Sequence, residues 1–342
     1  MANPDMVPYY AMALDPVHVG SGKQRLGRVD MPIMREEATK LPIIPGSSIC
    51  GVTRAAVAIN EGKYPTCAGK GEEEKRTETG GDDSSPDTRS HCGNPECPVC
   101  VTFGFSKKES SFQGLASFYD AKVVFFPVNT IVGTMWITCR SALEGTTIRV
   151  SENVPAGDTF VSVSGSVFSR LPAIGNSGNG KKQINLGWLR LEAGKGLLFD
   201  IWPEKIPAAI KENAVLVGEA LFSRIVNGNL ETRTSVSIDP LTGAADSGAL
   251  FTYEAIPRST LFFFQVGIAD PNHFKINKEQ ISISKNNIEE KVTAGLKQLE
   301  FLGIGGMNTR GMGRIRLYEA EKKNDETPHP SIGAEPGTGG RK

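Results

Sequence analysis

Residues 15–58 read DPVHVGSGKQRLGRVDMPIMREEATKLPIIPGSSICGVTRAAVA, and three successive signals lie in them. Val17 to Gly22 is an apolar segment broken by glycine. A polar loop centred on Asp30 follows and ends in Arg35 and Glu36. Leu41 to Ser48 then opens onto a run in which Ile49, Val52, Ala56 and Ile59 recur at helical spacing, with Arg54 on another face. Pro45-Gly46 is a turn signal, and the serine just ahead of Ile49 predicts an N-cap. The free N–H groups and partial positive charge of such a helix start suit a phosphate. The plainer alternative is a buried helix with a serine cap.

The rest of the composition constrains without deciding. A chain of 342 residues makes one large domain or two modest ones. Its 38 basic and 38 acidic residues balance to zero, which argues against a dedicated polyanion binder. The acidic residues are unevenly placed, however: Glu72, Glu73, Glu74, Glu78, Asp82, Asp83 and Asp87 crowd one stretch and offset basic residues elsewhere. No apolar run reaches the roughly 18 residues of a membrane span, and the start MANPDMVPYY lacks a signal-peptide pattern. A cytoplasmic protein without a membrane partner is expected. GSGKQR invites a P-loop reading that fails, because Val17 stands where that loop needs glycine and Gln24 where it needs Ser or Thr.

Residues 61–101 read as an insertion. Glu61 to Ser90 is polar, without apolar period, and expected to be mobile. Cysteines bracket it: Cys67 before, then Cys92, Cys97 and Cys100 after. Three cysteines so close together, two as Cys-x-x-Cys, predict a tetrahedral zinc site. Cys67 is the natural fourth ligand and His91 competes for the place. A disulfide is less suited to a cytosolic chain, and a redox pair lacks its βαβ context. Four protein ligands leave no open position, so the zinc is expected to be structural. Cys50 and Cys139 read as buried thiols.

Strands are predicted at Tyr9–Val19, Lys122–Val128, Thr130–Cys139, Val161–Phe168, Asn185–Glu192 and Leu261–Ile268. Gly175–Lys182 is a flexible basic loop. Short helical spacing covers Glu212–Ile225. Arg233–Asp239 and Gly248–Glu254 flank a turn at Pro240–Gly243 and form a long β-hairpin. Asn287 with Glu290 predicts a capping-box start for a helix carrying Ile288, Val292, Leu296, Leu299 and Leu302. That helix leads into GIGGMNTRGMGRIRL, residues 303–317, where glycines let backbone N–H groups cradle a phosphate while Arg310, Arg314 and Arg316 add charge. The glycine spacing does not fit a dinucleotide site.

Several of these segments, in this order, carry a resemblance. HVGSG, VDMPIMRE and LPIIPGSSICGVTR come first. Cys-x-x-Cys before Phe103-Gly104 follows, then Gly114-x-x-x-Phe118-x-Asp120-Ala121. FFPVNTIVGTMWITC, Arg233-Thr234 and the glycine-rich loop complete the set. Together they resemble the RAMP proteins, specifically the repeated backbone subunit of type III CRISPR RNA-guided effectors, the Cmr type more than its Csm relative.

The resemblance implies an α+β fold with a ferredoxin-like (RRM-type) core. Residues 1–321 would form a single RAMP domain, with the zinc-pinned insertion at 61–101, a thumb hairpin at 229–256 that reaches over bound RNA, and a disordered tail at 322–342. It implies binding of CRISPR RNA and cleavage of complementary target RNA at regular intervals, in a filament of copies of itself with other type III subunits. Asp30 takes the place of the residue required for cleavage. The chemistry implied is attack by the 2′-hydroxyl, leaving a cyclic phosphate and needing Mg²⁺ or another divalent cation beside the structural Zn²⁺. RNA contacts are expected at His18, Arg28, Ser47, Ser48, Arg54, Arg233, Thr234, Gly305, Gly306, Thr309 and Arg310. The rival readings are a non-cleaving guide scaffold, a guide-processing RAMP endoribonuclease using His18, and a zinc-stabilised RNA-binding module outside CRISPR.

Overall fold

The first strand, Asp5–Ala13, alternates its side chains between two cores: Tyr9 and Ala11 enter one, Tyr10 the other. It stops short of the predicted Val19 because the chain turns at Asp15-Pro16. Leu14 donates its N–H to the Arg314 carbonyl at 2.8 Å, and Pro16 has no N–H with which to continue a ladder. In this computed structural model residues 3–22, 29–69, 91–107, 110–151, 160–174 and 181–319 are described. Arg28, the acidic part of the insertion, most of the 175–182 loop and the 322–342 tail lie outside them.

The first strand pairs antiparallel with Leu261–Ile268 on one side and with Ile315–Glu319 on the other. Leu261–Ile268 pairs antiparallel in turn with Ala121–Thr130. Ala121–Thr130 returns through a tight hairpin to Gly133–Thr138, and Ala214–Val217 and Val161–Val163 extend the sheet further. The sheet has ten strands among the described residues, so the fold is mixed α/β around one large sheet.

Two helices, Gly46–Asn60 and Lys285–Lys297, pack on each other over one face of this sheet. Ile49 and Val57 from the first meet Ile288, Val292 and Leu296 from the second in the larger core. Gly295 permits the close approach: a Cβ there would stand 2.7 Å from Val57 Cγ2 and 3.0 Å from the Thr53 carbonyl oxygen. Gly295→Val is therefore expected to cost about 2 kcal/mol or more through overpacking, read as a lowered denaturation midpoint. An unchanged midpoint would show that the helices can part without penalty.

Both helix starts differ from the predicted caps. The first helix begins at Gly46 with Pro45 as N-cap, and the carboxylate of Asp120 accepts the Gly46 N–H at 2.8 Å. Ser47 and Ser48 thus lie inside the first turn, and a negative group from a distant link between two strands already occupies the positive helix end. The second helix starts three residues earlier than predicted, with Ser284 Oγ accepting the Asn287 N–H at 3.2 Å. It is interrupted at Gln298 before the short helix Leu299–Leu302, and Leu302 is 42% exposed rather than core.

The opposite sheet face is also covered. Tyr10, Phe125, Leu261 and Phe263 are buried under Leu143, Ile148, Leu197, Ile206 and Ile210, all from residues 140–216. An RRM stacks bases on exposed sheet aromatics; here those aromatics are beneath protein. Within this cover three predicted elements change. Val161–Phe168 divides, because Ser164 Oγ accepts the Val167 N–H and starts a helix at Gly165. Val161–Val163 is fully buried rather than half-exposed. Asn185–Glu192 is not one strand but the turn of a hairpin, Lys181–Leu186 with Leu189–Glu192, bent at Gly187, whose φ of +61° suits glycine. Glu212–Ile225 divides into the buried strand Ala214–Val217 and the helix Glu219–Gly228, since four successive apolar side chains enter the sheet before Gly218 breaks the strand.

Candidate nucleic-acid interface and cysteine cluster

The loop after Val29 is not free. Met31 donates to the Thr252 carbonyl at 3.0 Å and its carbonyl accepts the Glu254 N–H at 3.1 Å, a single parallel bridge to Tyr253 of the hairpin strand Ala245–Ala255. This pairing aims Asp30 at Thr252. Asp30 Oδ2 accepts the Thr252 N–H at 2.7 Å and its hydroxyl at 3.0 Å, although 222 residues separate the two in sequence. These bonds, the backbone one first, hold the Asp30 carboxyl below the ordinary aspartate value of 3.8, and the group is exposed to solvent. One turn of strand further, Glu254 pairs with Arg35 at 2.9 Å, and Arg35 Nε donates to Asn227 Oδ1 at 3.1 Å.

The predicted hairpin is present as Glu231–Ile238 paired with Ala245–Ala255. Thr234 lies directly opposite Thr252, so it shares the face that holds Asp30; Arg233 lies opposite Tyr253 on the other face and pairs with Glu231 at 2.6 Å. Toward the tip the hairpin exposes Val236, Ile238, Leu250 and Leu241, the last 94% accessible.

The glycine-rich loop closes the same corner from beneath. Gly306 donates to the His18 carbonyl at 2.8 Å, Gly313 to Pro16, and Ile304 to Gly313. Gly305 has φ +84°, and a Cβ on it would fall 2.3 Å from the His18 carbonyl oxygen. Gly305 is thus required for packing against His18 and Gly313 for packing against Ile304, and the amides of Ile304, Gly306 and Gly313 already have partners. His18 is buried, as read from its apolar segment, with Nδ1 2.6 Å from the Glu254 carbonyl and its ring edge-on to Tyr253. Nδ1 is therefore the donor, which leaves Nε2 facing Gly20. Met31, Phe251, Tyr253, Met307 and Met312 form a small core that joins the Asp30 loop, the hairpin and the glycine loop.

Charge at this corner is less than the sequence suggests. Arg314 is paired with Asp15 at 2.5 Å and Arg316 with Glu300 at 2.6 Å. Arg310 instead lies over the Phe251 ring at 5.9 Å, beside exposed Thr309. Arg54 is placed elsewhere. It donates to the carbonyls of Cys67 at 2.7 Å and Gly104 at 2.8 Å, and its Nη2 lies 3.0 Å from His91 Nδ1. It braces the cysteine cluster rather than facing solvent with the serines of its helix, a correction to its expected phosphate role.

In that cluster the Sγ atoms of Cys67, Cys92, Cys97 and Cys100 all lie within 4.8 Å of one another. Cys92 to Cys100 and Cys100 to Cys67 are each 3.6 Å. Tetrahedral zinc with bonds of about 2.3 Å would set neighbouring sulfurs about 3.8 Å apart, whereas a disulfide needs about 2.05 Å. The four sulfurs are able to hold a metal ion. Bonds from Cys100 and Cys97 hold the Cys67 thiol well down, while the same contacts push the Cys100 thiol up, so without a metal the sulfurs share protons among themselves. His91, bonded to Arg54, stands outside the ligand set. Of the other two cysteines, Cys139 is buried, and burial pushes its thiol up to about 12; Cys50 is only half-buried.

A sequence profile of the RAMP superfamily matches residues 10–316. The chain belongs to the RAMP superfamily. It is 24% identical over 337 residues to the CRISPR system Cmr endoribonuclease Cmr4 of Pyrococcus furiosus, covering 92% of this chain and 96% of that protein. A chain of the type III-B Cmr-beta complex bound to cognate target RNA superposes with a TM-score of 0.59 at 16% identity, over 92% of this RAMP chain and 97% of that one. The crystal structure of Cmr4 gives 0.53 at 19% identity, over 93% and 100%. No described helix of this RAMP protein is long and apolar enough to cross a membrane.

Two contributors to the corner were missed from sequence: Thr252 and Glu254 read as ordinary alternating strand residues. Asp120, at the start of the first helix, read as a motif residue without a task. The available signal was that Thr252 and Glu254 are i, i+2 polar residues on one strand face, cross-paired with Thr234 and Thr232.

Proposed function

We propose that this RAMP protein is a backbone subunit of a type III CRISPR effector, binding CRISPR RNA and cleaving complementary target RNA as an endoribonuclease. The observation that carries the reading is the meeting of the Asp30 loop, the hairpin base and the glycine-rich loop at one corner, from three distant stretches of chain. The full-length similarity to the Pyrococcus furiosus endoribonuclease supports it. A ferredoxin-like core is supported by the order Ala121–Thr130, Leu261–Ile268, Asp5–Ala13, Ile315–Glu319 with antiparallel neighbours and two helices on one face. Residues 1–321 then form a single domain, with the insertion at 61–101, the thumb at 229–256 and a tail from 322, working in the cytoplasm.

In this reading Ser47, Ser48, Arg233, Thr234, Gly305, Gly306, Thr309 and Arg310 lie along the guide backbone, with Arg28 joining from outside the described residues. His18, expected there too, is buried against Tyr253 and supports the glycine-rich loop from behind instead. Sequence is read by the guide, and the protein reads shape and phosphates. Asp30 is the catalytic residue. Its carboxylate orients the target 2′-hydroxyl and draws its proton, the 2′-oxygen bonds to phosphorus, and the bond to the 5′-oxygen breaks, that oxygen taking up a proton. The products are a 2′,3′-cyclic phosphate and a 5′-hydroxyl. Asp30 would be the carboxylate to help hold a divalent cation such as Mg²⁺, which would supply charge stabilisation for the reacting phosphate. Zn²⁺ in the Cys67, Cys92, Cys97 and Cys100 cluster is structural.

The test is to assemble the protein on a CRISPR RNA, add labelled complementary RNA with Mg²⁺, and resolve the products. A ladder of regular spacing with cyclic-phosphate ends is expected. Tight binding without a ladder would make the protein a guide-holding scaffold, and cleavage of unprocessed repeat RNA instead would make it a guide-processing enzyme.

A further inference from the structure

Asp30 stands in a loop, yet the hydrogen bonds that orient its carboxylate come from the hairpin. Thr252 grips Oδ2 twice, through its N–H at 2.7 Å and its hydroxyl at 3.0 Å, and the same hydroxyl lies 3.1 Å from the Asp30 N–H. The Met31 bonds to Thr252 and Glu254 fix the register of loop and strand on either side of this grip. The Arg35–Glu254 pair closes it from the other end. The hairpin that carries Thr252 has its exposed apolar tip at the far end of the same two strands. The tip and the residue holding Asp30 are therefore parts of one pair of strands.

We infer that Thr252 is a positioning residue for the cleavage reaction, locking the Asp30 carboxylate to the hairpin so that the two move as one body. The inference rests on Asp30 being the catalytic residue, as proposed above. Its consequence is that any shift of the hairpin on engaging RNA carries the carboxylate with it, which couples RNA engagement to chemistry. A misplacement of about 1 Å at a reacting group costs on the order of 10²-fold in rate, so the hydroxyl bond has a measurable share in turnover.

Thr252→Val and Thr252→Ser separate geometry from packing. Valine keeps the shape and strand preference of threonine and the backbone N–H bond, but removes the hydroxyl. Serine restores the hydroxyl and removes only a methyl. Both variants, with wild type and Asp30→Ala, would be assembled on the same CRISPR RNA and assayed in single turnover at saturating target, with target affinity and melting temperature measured alongside. Thr252→Val is expected to slow cleavage by about 10-fold or more with affinity and melting temperature unchanged, Thr252→Ser to cleave like wild type, and Thr252→Val to add nothing to Asp30→Ala. Wild-type cleavage by Thr252→Val beside an inactive Asp30→Ala would overturn this inference alone. Equal slowing by valine and serine would overturn it in favour of packing. Normal cleavage by Asp30→Ala would remove the catalytic reading and this inference with it.

Discussion

Asp30→Ala is expected to abolish the cleavage ladder while leaving guide and target binding at wild-type strength. The carboxylate is exposed and held by Thr252 at the edge of the hairpin, so its loss removes no core contact and exposes no buried partner. General acid–base groups contribute about 10²–10⁴-fold, and a residue that also helps seat a cation belongs at the upper end. Asp30→Asn is the sharper companion, because it keeps an acceptor for Thr252 but loses the charge. Equal inactivity of both variants assigns the effect to charge; activity in Asp30→Asn assigns it to geometry. The pH response follows from the same bonds. The Asp30 pKa is depressed, so the group is ionised above its ordinary value of 3.8 and gains a proton only at lower pH. The carboxylate is thus fully charged from about pH 5 upward, and any loss of cleavage between neutral pH and pH 5 has to come from another group. Full-rate cleavage by Asp30→Ala with binding intact would sink the assignment.

Removing the metal from the cysteine cluster is expected to have the largest effect on stability. Purified protein should contain about one zinc per chain, since four cysteine sulfurs at zinc spacing present a complete tetrahedral set. The cluster joins Cys67, just beyond the first helix, to the helix Pro98–Phe103, which leads directly into Gly104 and Phe105 of the core. Arg54 ties the same junction to the first helix through Cys67 and Gly104. A ligand present at about 1,000 times its Kd stabilises by about 4 kcal/mol, and a strong chelator or Cys100→Ala should remove that much. Melting followed with and without chelator, and after zinc is restored, measures it. Zinc content below half an equivalent, or a melting temperature indifferent to chelation, would exclude a structural metal. Because none of the hydrogen bonds that orient Asp30 comes from the cluster, the restored protein should cleave as before.

Much of the molecule was legible because its signals are local. A continuous apolar run marked Leu261–Ile268, alternation marked the hairpin, and Cys-x-x-Cys with two outlying cysteines marked the cluster, since a tetrahedral site restricts residue type and spacing. The cover over the second sheet face was the least legible part. Ala214–Val217 and Val161–Val163 are four- and three-residue strands buried on both sides. Their apolar runs carry no period that separates them from helix.

The sequence by itself determined which residues have chemistry to offer: Asp30 in a polar loop, the glycine-rich loop, the four cysteines and the hairpin. Tertiary structure alone decided what each one does with its hydrogen bonds. Arg54 braces the cysteine cluster, Asp120 occupies the first helix start, Arg314 and Arg316 are paired with acids, and Thr252 holds Asp30. The physical reason is that a side chain's type and local period are written within a few residues. The partner that claims its donors or acceptors arrives from wherever the fold brings the chain, here from as far as 299 residues away for Asp15 and Arg314.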